Sequence, residues 1–203
     1  NRELKDSKIG KECYLIASGP SLSNANLDEV VNGDIITMSS SFLNPIVDKI
    51  SPVIHVEAPL HAPFDQDDVY SEYMRQLDNV FSGSDTRILF GVGSMNNSYF
   101  EKIEERRLGE KNINYTYGFV NYVSSLGYDG LMKDHDCYWD ISKSPFSPST
   151  VSHSALQIAM YMGYSNIYLL GFDANRVLEV VNKQHLYFHE PLSAQLAAND
   201  NLN

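Results

Sequence analysis

The sequence predicts an α/β protein with a Rossmann-like, mostly parallel sheet, helices on both faces and one irregular, lid-like excursion. Three observations predict it. Short apolar, β-prone runs alternate with segments of helical period along most of the chain, which is the pattern of a parallel sheet wound with helices. The first such run, CYLIA at 13–17, passes directly into the glycine turn Ser18-Gly19-Pro20-Ser21. The third observation is residues 149–173, STVSHSALQIAMYMGYSNIYLLGFD, which read as a loop, an amphipathic helix, a tight turn and a buried strand. In that stretch Val151, Ala155, Ile158, Ala159 and Met162 recur at helical spacing, Gly163 supplies the stop, and 167–170 is an apolar run closed by Gly171.

Taken in order, the strand at 13–17 and its glycine turn lead to Asn26-Leu27-Asp28-Glu29, an N-cap residue with an acidic partner three positions on. This opens a short helix through Val31. Strand, glycine turn and helix together form the entrance to a nucleotide-binding sheet. Residues 34–38 (DIITM) read as a second strand, followed by the hydroxyl triplet Ser39-Ser40-Ser41 and a short helix beginning at Pro45. A third strand covers 52–57 (PVIHVE). Between 65 and 81, Val69, Tyr73, Leu77 and Phe81 repeat every four positions and give a helix with one apolar face. A fourth strand covers 87–92 and a charged amphipathic helix 98–108. A short strand is expected at 113–117. Residues 118–148 lack a clear period and read as the excursion, and 174–203 as a lid or tail on a single α/β domain spanning 1–203.

Composition narrows the function. A net charge of −11 argues against a protein whose main task is holding nucleic acid, because phosphate neutralisation needs a basic face. No apolar run approaches the roughly 20 residues of a membrane-spanning helix, and no signal peptide is evident. The two cysteines, Cys13 and Cys137, show no ligand spacing and read as reduced thiols of a cytoplasmic protein.

Polar residues gather where open sheets bind ligands, at strand ends and helix starts. Thr150, Ser152 and Asp173 flank the 149–173 unit, and each is equally readable as a cap or turn residue. Asp134-His135-Asp136 are adjacent, and three adjacent side chains converge poorly on one cation, so a solvated loop is the simpler reading. Asp65-Gln66-Asp67 stands at a helix start, where acidic residues complement the dipole. His185 and His189, four apart in HLYFH, share a face in either regular conformation and are candidates for proton transfer.

Three islands carry a family likeness. IASGPSL resembles the GNGPSL turn of the bacterial sialyltransferases that use CMP-sialic acid, GYSNIYLLGFD is similar to their LGYKEIYLSGID, and HLYFH is similar to their HYxGH. The 149–173 string also resembles the TVxxxALQxAxxMGxxxIYLLGxD segment of the MptE-like pterin diphosphokinases and the flagellin-modifying motility accessory proteins, which share the GPSL turn. The first resemblance implies that Ser18, Gly19, Pro20 and Ser21 lie against the nucleotide phosphate and ribose. It matches Ser39 to a ribose-contacting asparagine, and makes His189 the general base with His185 in support. Pro148 stands where that family has arginine, Val151 where it has serine, and Ser18 where it has asparagine.

The implied activity is transfer of a sugar from a CMP-activated donor to a glycan acceptor hydroxyl, in bacterial cell-surface glycan biosynthesis. The Gly19–Ser21 amides with the Ser21 and Thr150 hydroxyls would stabilise the leaving phosphate. His189 would take the acceptor proton, with no metal or other cofactor. A cytoplasmic location, peripheral to the inner face of the membrane, would bring it to its acceptor, and the oligomeric state is left open. The alternative is diphosphate transfer from ATP to a pterin, which needs Mg²⁺ and acidic ligands such as Glu57, Asp134, Asp136 and Asp173. A non-catalytic nucleotide- or partner-binding module is the third reading.

Overall fold

The computed structural model describes residues 1–25, 30, 33–45, 49–59, 67–93, 101–102, 115–122, 139–143, 145 and 150–173. Six strands, β1 (Glu12–Ile16), β2 (Asp34–Met38), β3 (Ile54–Glu57), β4 (Arg87–Gly93), β5 (Thr116–Tyr122) and β6 (Asn166–Leu170), form one sheet in the order β5-β4-β3-β2-β1-β6. Every pairing is parallel. The chain builds outward from β1 to β5, then returns to lay β6 on the other side of β1. That reversal places a switch of strand order at β1 and β6, the kind of position at which open parallel sheets bind ligands.

Alternation along each strand separates two apolar faces. Ile16, Ile35, Ile88 and Phe90 face helix α1 (Asp67–Phe81), whose Val69, Tyr73, Leu77 and Phe81 are buried as their four-residue repeat predicts. Leu15, Ile36, Met38, Ile54, Val56 and Leu89 face helix α2 (Val151–Tyr161) through Ala155, Ile158 and Ala159. Both faces are therefore covered, and each fully buried large side chain contributes about 2 kcal/mol. Gly163, with φ of +82°, ends α2 where a side chain would be strained.

The opposite edge of the sheet is clamped by the first residues of the chain. Asp6 and Lys8 amides donate to the Tyr161 and Met162 carbonyls, satisfying the C-terminal end of α2. Asp34 accepts from Lys8 at 2.7 Å and from Tyr164 at 2.8 Å. Burial disfavours the Asp34 charge, yet these two hydrogen bonds prevail and hold its pKa below the usual carboxylate value. Among the described residues no helix is long and apolar enough to cross a membrane.

Two expectations change. The fifth strand lies at Thr116–Tyr122 rather than 113–117, so the first residues of the expected excursion, 118–122, are sheet. Gly118 disguised it, because glycine is uncommon inside a strand; a Cβ there would stand 3.1 Å from the Arg87 guanidinium and 3.2 Å from Leu89, a tight fit against two flexible side-chain ends. A 3-10 turn occupies Ser39–Leu43 directly after β2, while 46–48, where the short helix beginning at Pro45 is expected, lie outside the described residues. A 3-10 turn also occupies Pro20–Asn24, while Asn26 to Glu29 lie outside the described residues. Finally, β6 is half exposed rather than buried, with Tyr168 and Leu169 open to solvent. It is the last strand of the described sheet, so it lacks a neighbour on one flank, and Tyr168 instead stacks on Tyr14 at 4.9 Å. Of the helix expected at 98–108, Glu101 and Lys102 are described, and both are helical.

Candidate functional site

The strand ends at the switch point are zipped together by backbone. Beyond the strands proper, Ala17 N–H donates to Leu170 O and Gly19 N–H to Gly171 O, both at 2.9 Å. Ser21 N–H then donates to Asp173 Oδ2 at 2.8 Å across 152 positions of sequence. Two glycines make this possible. A Cβ on Gly19 would fall 2.4 Å from Gly171 O and 2.5 Å from Asp173 Oδ2, and Gly171 itself sits at φ +71° with Ala17 O close by. The IASGPSL and LLGFD islands, far apart in the chain, are thus one structural unit.

The remaining polar residues of this edge are distributed along it. Ser39 follows β2 with φ of +47°, a left-handed conformation uncommon for a residue with a side chain. The Met38 amide next to it donates to Ser41 Oγ at 2.9 Å. Thr150 is the N-cap residue of α2, but its hydroxyl makes no capping bond, so it stands exposed over the helix's first amides. Below that terminus, the hydroxyls of Tyr122 and Ser154 are buried without a hydrogen bond of good geometry. Burial pushes the Tyr122 phenol up to about 12, opposed by the nearby Ser154 hydroxyl.

Ser18, Gly19, Pro20, Ser21 and Asp173 are therefore brought together, with Ser39 and Thr150 on the same edge. His185 and His189 lie outside the described residues, as do Asp134, His135, Asp136, Asp65, Gln66 and Cys137. Of Asp65-Gln66-Asp67 at the start of α1, Asp67 is described. It is exposed and paired with Lys102 at 2.5 Å, which lowers its pKa, in keeping with a helix-start role. Asp173 acts as a turn cap, since one carboxylate oxygen already satisfies the Ser21 amide. Cys13 is a free, fully buried thiol whose pKa burial raises to about 12, so it is chemically inert.

The acidic residues weighed for Mg²⁺ do not assemble a site among the described residues. Glu57 ends β3 and Asp173 follows β6, with β2 and β1 between them. Strand spacing puts them about 14 Å apart along the edge, whereas one cation needs its oxygens within about 2.5 Å. No group of three potential metal ligands occurs among the described residues.

Sequence reasoning missed a buried polar chain at the ends of β2 and β3. Thr37 Oγ1 lies 2.8 Å from His55 Nδ1, His55 Nε2 lies 2.8 Å from Glu57 Oε1, and Tyr73 OH of α1 donates to the same oxygen at 2.7 Å. With Glu57 accepting, His55 carries a proton on Nε2, and Nδ1 accepts from Thr37. Phe42 and Phe81 pack on the imidazole, Phe42 edge-on at 5.5 Å. One signal was available in PVIHVE: a histidine and a glutamate two apart on the same face of an otherwise apolar strand. A groove of about 400 Å³ bordered by Asn1, Glu3, Phe119 and Asn121 opens on the β5 flank, and its polar groups are tied into local bonds such as Asn1 to the Phe119 carbonyl and Glu3 to Arg87.

Fold and site together define a Rossmann-like parallel α/β protein with polar residues gathered at its β1/β6 switch point. No protein-family model matches the chain, and no curated protein matches it either.

Proposed function

We propose that the protein is a glycosyltransferase of the sialyltransferase-like type, taking a sugar from a CMP-activated donor to a glycan acceptor hydroxyl. The observation that carries the reading is the junction of the two resembling islands at the switch point, where Gly19 meets Gly171 and Ser21 meets Asp173. Ligands of open parallel sheets bind at such switch points.

In this reading the leaving phosphate is received by the first amides of α2 and the open Thr150 hydroxyl, where a helix terminus favours negative charge. The Ser21 amide is committed to Asp173, so the GPSL turn borders the nucleotide rather than supplying that amide to its phosphate. Ser39 faces the ribose, and His189, with His185 in support, takes the acceptor proton. The protein would work in the cytoplasm, peripheral to the membrane that carries its acceptor.

The test is a nucleotide-panel thermal shift. CMP or a CMP-sugar should raise Tm without added metal, and His189→Ala should abolish transfer while leaving that shift nearly intact. Stabilisation by ATP or a pterin only when Mg²⁺ is added would replace this reading with the diphosphokinase, and no shift from any nucleotide would leave a partner-binding module.

A further inference from the structure

The buried Thr37–His55–Glu57–Tyr73 chain is used by neither the phosphate nor the proton-transfer step. Burying a carboxyl is expensive, and an apolar side chain of similar size would pack the same space without that penalty. Its position supplies a reason to keep it. Glu57 is the last residue of β3, on the same edge as the glycine turn after β1 and Ser39 after β2. Two strand spacings, about 10 Å, separate the ends of β1 and β3. A nucleotide with its phosphate near the switch point can extend its base that far.

The carboxyl is held in one orientation. Both of its bonds, from His55 and Tyr73, fall on Oε1. Among the described residues nothing bonds Oε2, and 4 % of the side chain reaches the surface. Phe42 packs edge-on against both His55 and Tyr73, so neither donor can swing away freely. An ionised carboxyl oxygen accepts hydrogen bonds and donates none. Such a group is matched to an amino group and mismatched to a carbonyl.

We propose that Glu57 is the base-reading residue of this edge, its Oε2 accepting from the exocyclic amino group of cytosine and thereby selecting a cytidine over a uridine nucleotide. Cytosine presents an amino donor where uracil presents a carbonyl, and an acidic side chain accepts from that amino group. Uracil would set acceptor against acceptor and leave both unpaired. His55, Thr37 and Tyr73 are positioning residues that fix the reading oxygen.

This inference rests on the nucleotide-site reading above, and the experiment separates the two. Binding of CMP and UMP, whose bases differ at C4 (amino against carbonyl) and in consequence at the adjoining N3 (acceptor against N–H donor), is measured by calorimetry on the wild type, Glu57→Gln and Tyr73→Phe. The wild type should bind CMP at least tenfold more tightly than UMP. Glu57→Gln, whose amide can donate to the uracil carbonyl, should erase or invert that ratio. Tyr73→Phe keeps the carboxyl but loses one restraint, so it should give an intermediate ratio, and it carries the test should Glu57→Gln fail to fold. A purely structural role would lower the melting temperature of both variants and leave the ratio unchanged. An unchanged ratio, or equal affinity in the wild type, would overturn the role of Glu57 while the nucleotide site stands. Failure of the wild type to bind either nucleotide would overturn both.

Discussion

The two halves of the sheet's C-terminal edge, at the ends of β1 and β6 and at the ends of β2 and β3, are built from different materials. At the β1/β6 junction the backbone does the holding: amides of Ala17 and Gly19 continue the strand ladder into the loops, and one carboxylate, Asp173, closes it. At the β2/β3 ends, side chains do the holding, through a buried file from Thr37 to Tyr73 walled by Phe42 and Phe81. The first arrangement tolerates no added side-chain volume, because backbone atoms of two strands meet there. The second tolerates volume but no unpaired polar atom. The edge therefore has one half set by steric contact and one set by hydrogen bonding.

The sharpest way to break this contrast is Gly19→Ala. Its Cβ would meet Gly171 O at 2.4 Å, so the two loops must part, and a loss of about 3 kcal/mol is expected by urea denaturation. A loss below about 1 kcal/mol would show that the junction yields and is not sterically fixed. A smaller effect is expected in the other half. Thr37→Val keeps shape but leaves His55 Nδ1 buried without its partner, at a cost of about 1–2 kcal/mol. A variant as stable as wild type would mean that the imidazole repairs its bonding by another route. The smallest effect, and one of opposite sign, belongs to Ser39→Gly. Relief of the left-handed backbone outweighs the added entropy of the unfolded chain, and a gain of about 0.5 kcal/mol in the same assay is expected. A loss there would show that the serine hydroxyl, not the backbone, holds the turn.

The halves also differ in how far the sequence reveals them. The backbone-built junction announces itself locally. A glycine must stand where strand ends touch, and an apolar run closed by glycine and followed by aspartate marks such an end, so the residue order alone singles out Ser18 to Ser21 and Asp173 as a candidate site. The buried polar file is not legible in that way, although both His55 and Glu57 are visible in one strand. Their meaning depends on Thr37 lying opposite His55 in the β2/β3 register and on Tyr73 coming down from α1, and neither is a property of the local sequence.

The same division runs through the fold. A short apolar run by itself determined β2 at 34–38, buried on both faces, and four-residue spacing determined the buried stripe of α1, because each of these signals is carried by its own segment alone. The strand β5 escaped because Gly118 stands inside it, where glycine is uncommon. The run of β6 looked buried because apolarity reports what a strand can bury, whereas its exposure follows from standing last in the sheet. Composition and period determined that this chain folds as a parallel α/β sheet with polar residues at its strand ends. Only the tertiary structure decided which strand ends meet and which buried groups pair, because strand order and register join residues that the chain keeps far apart.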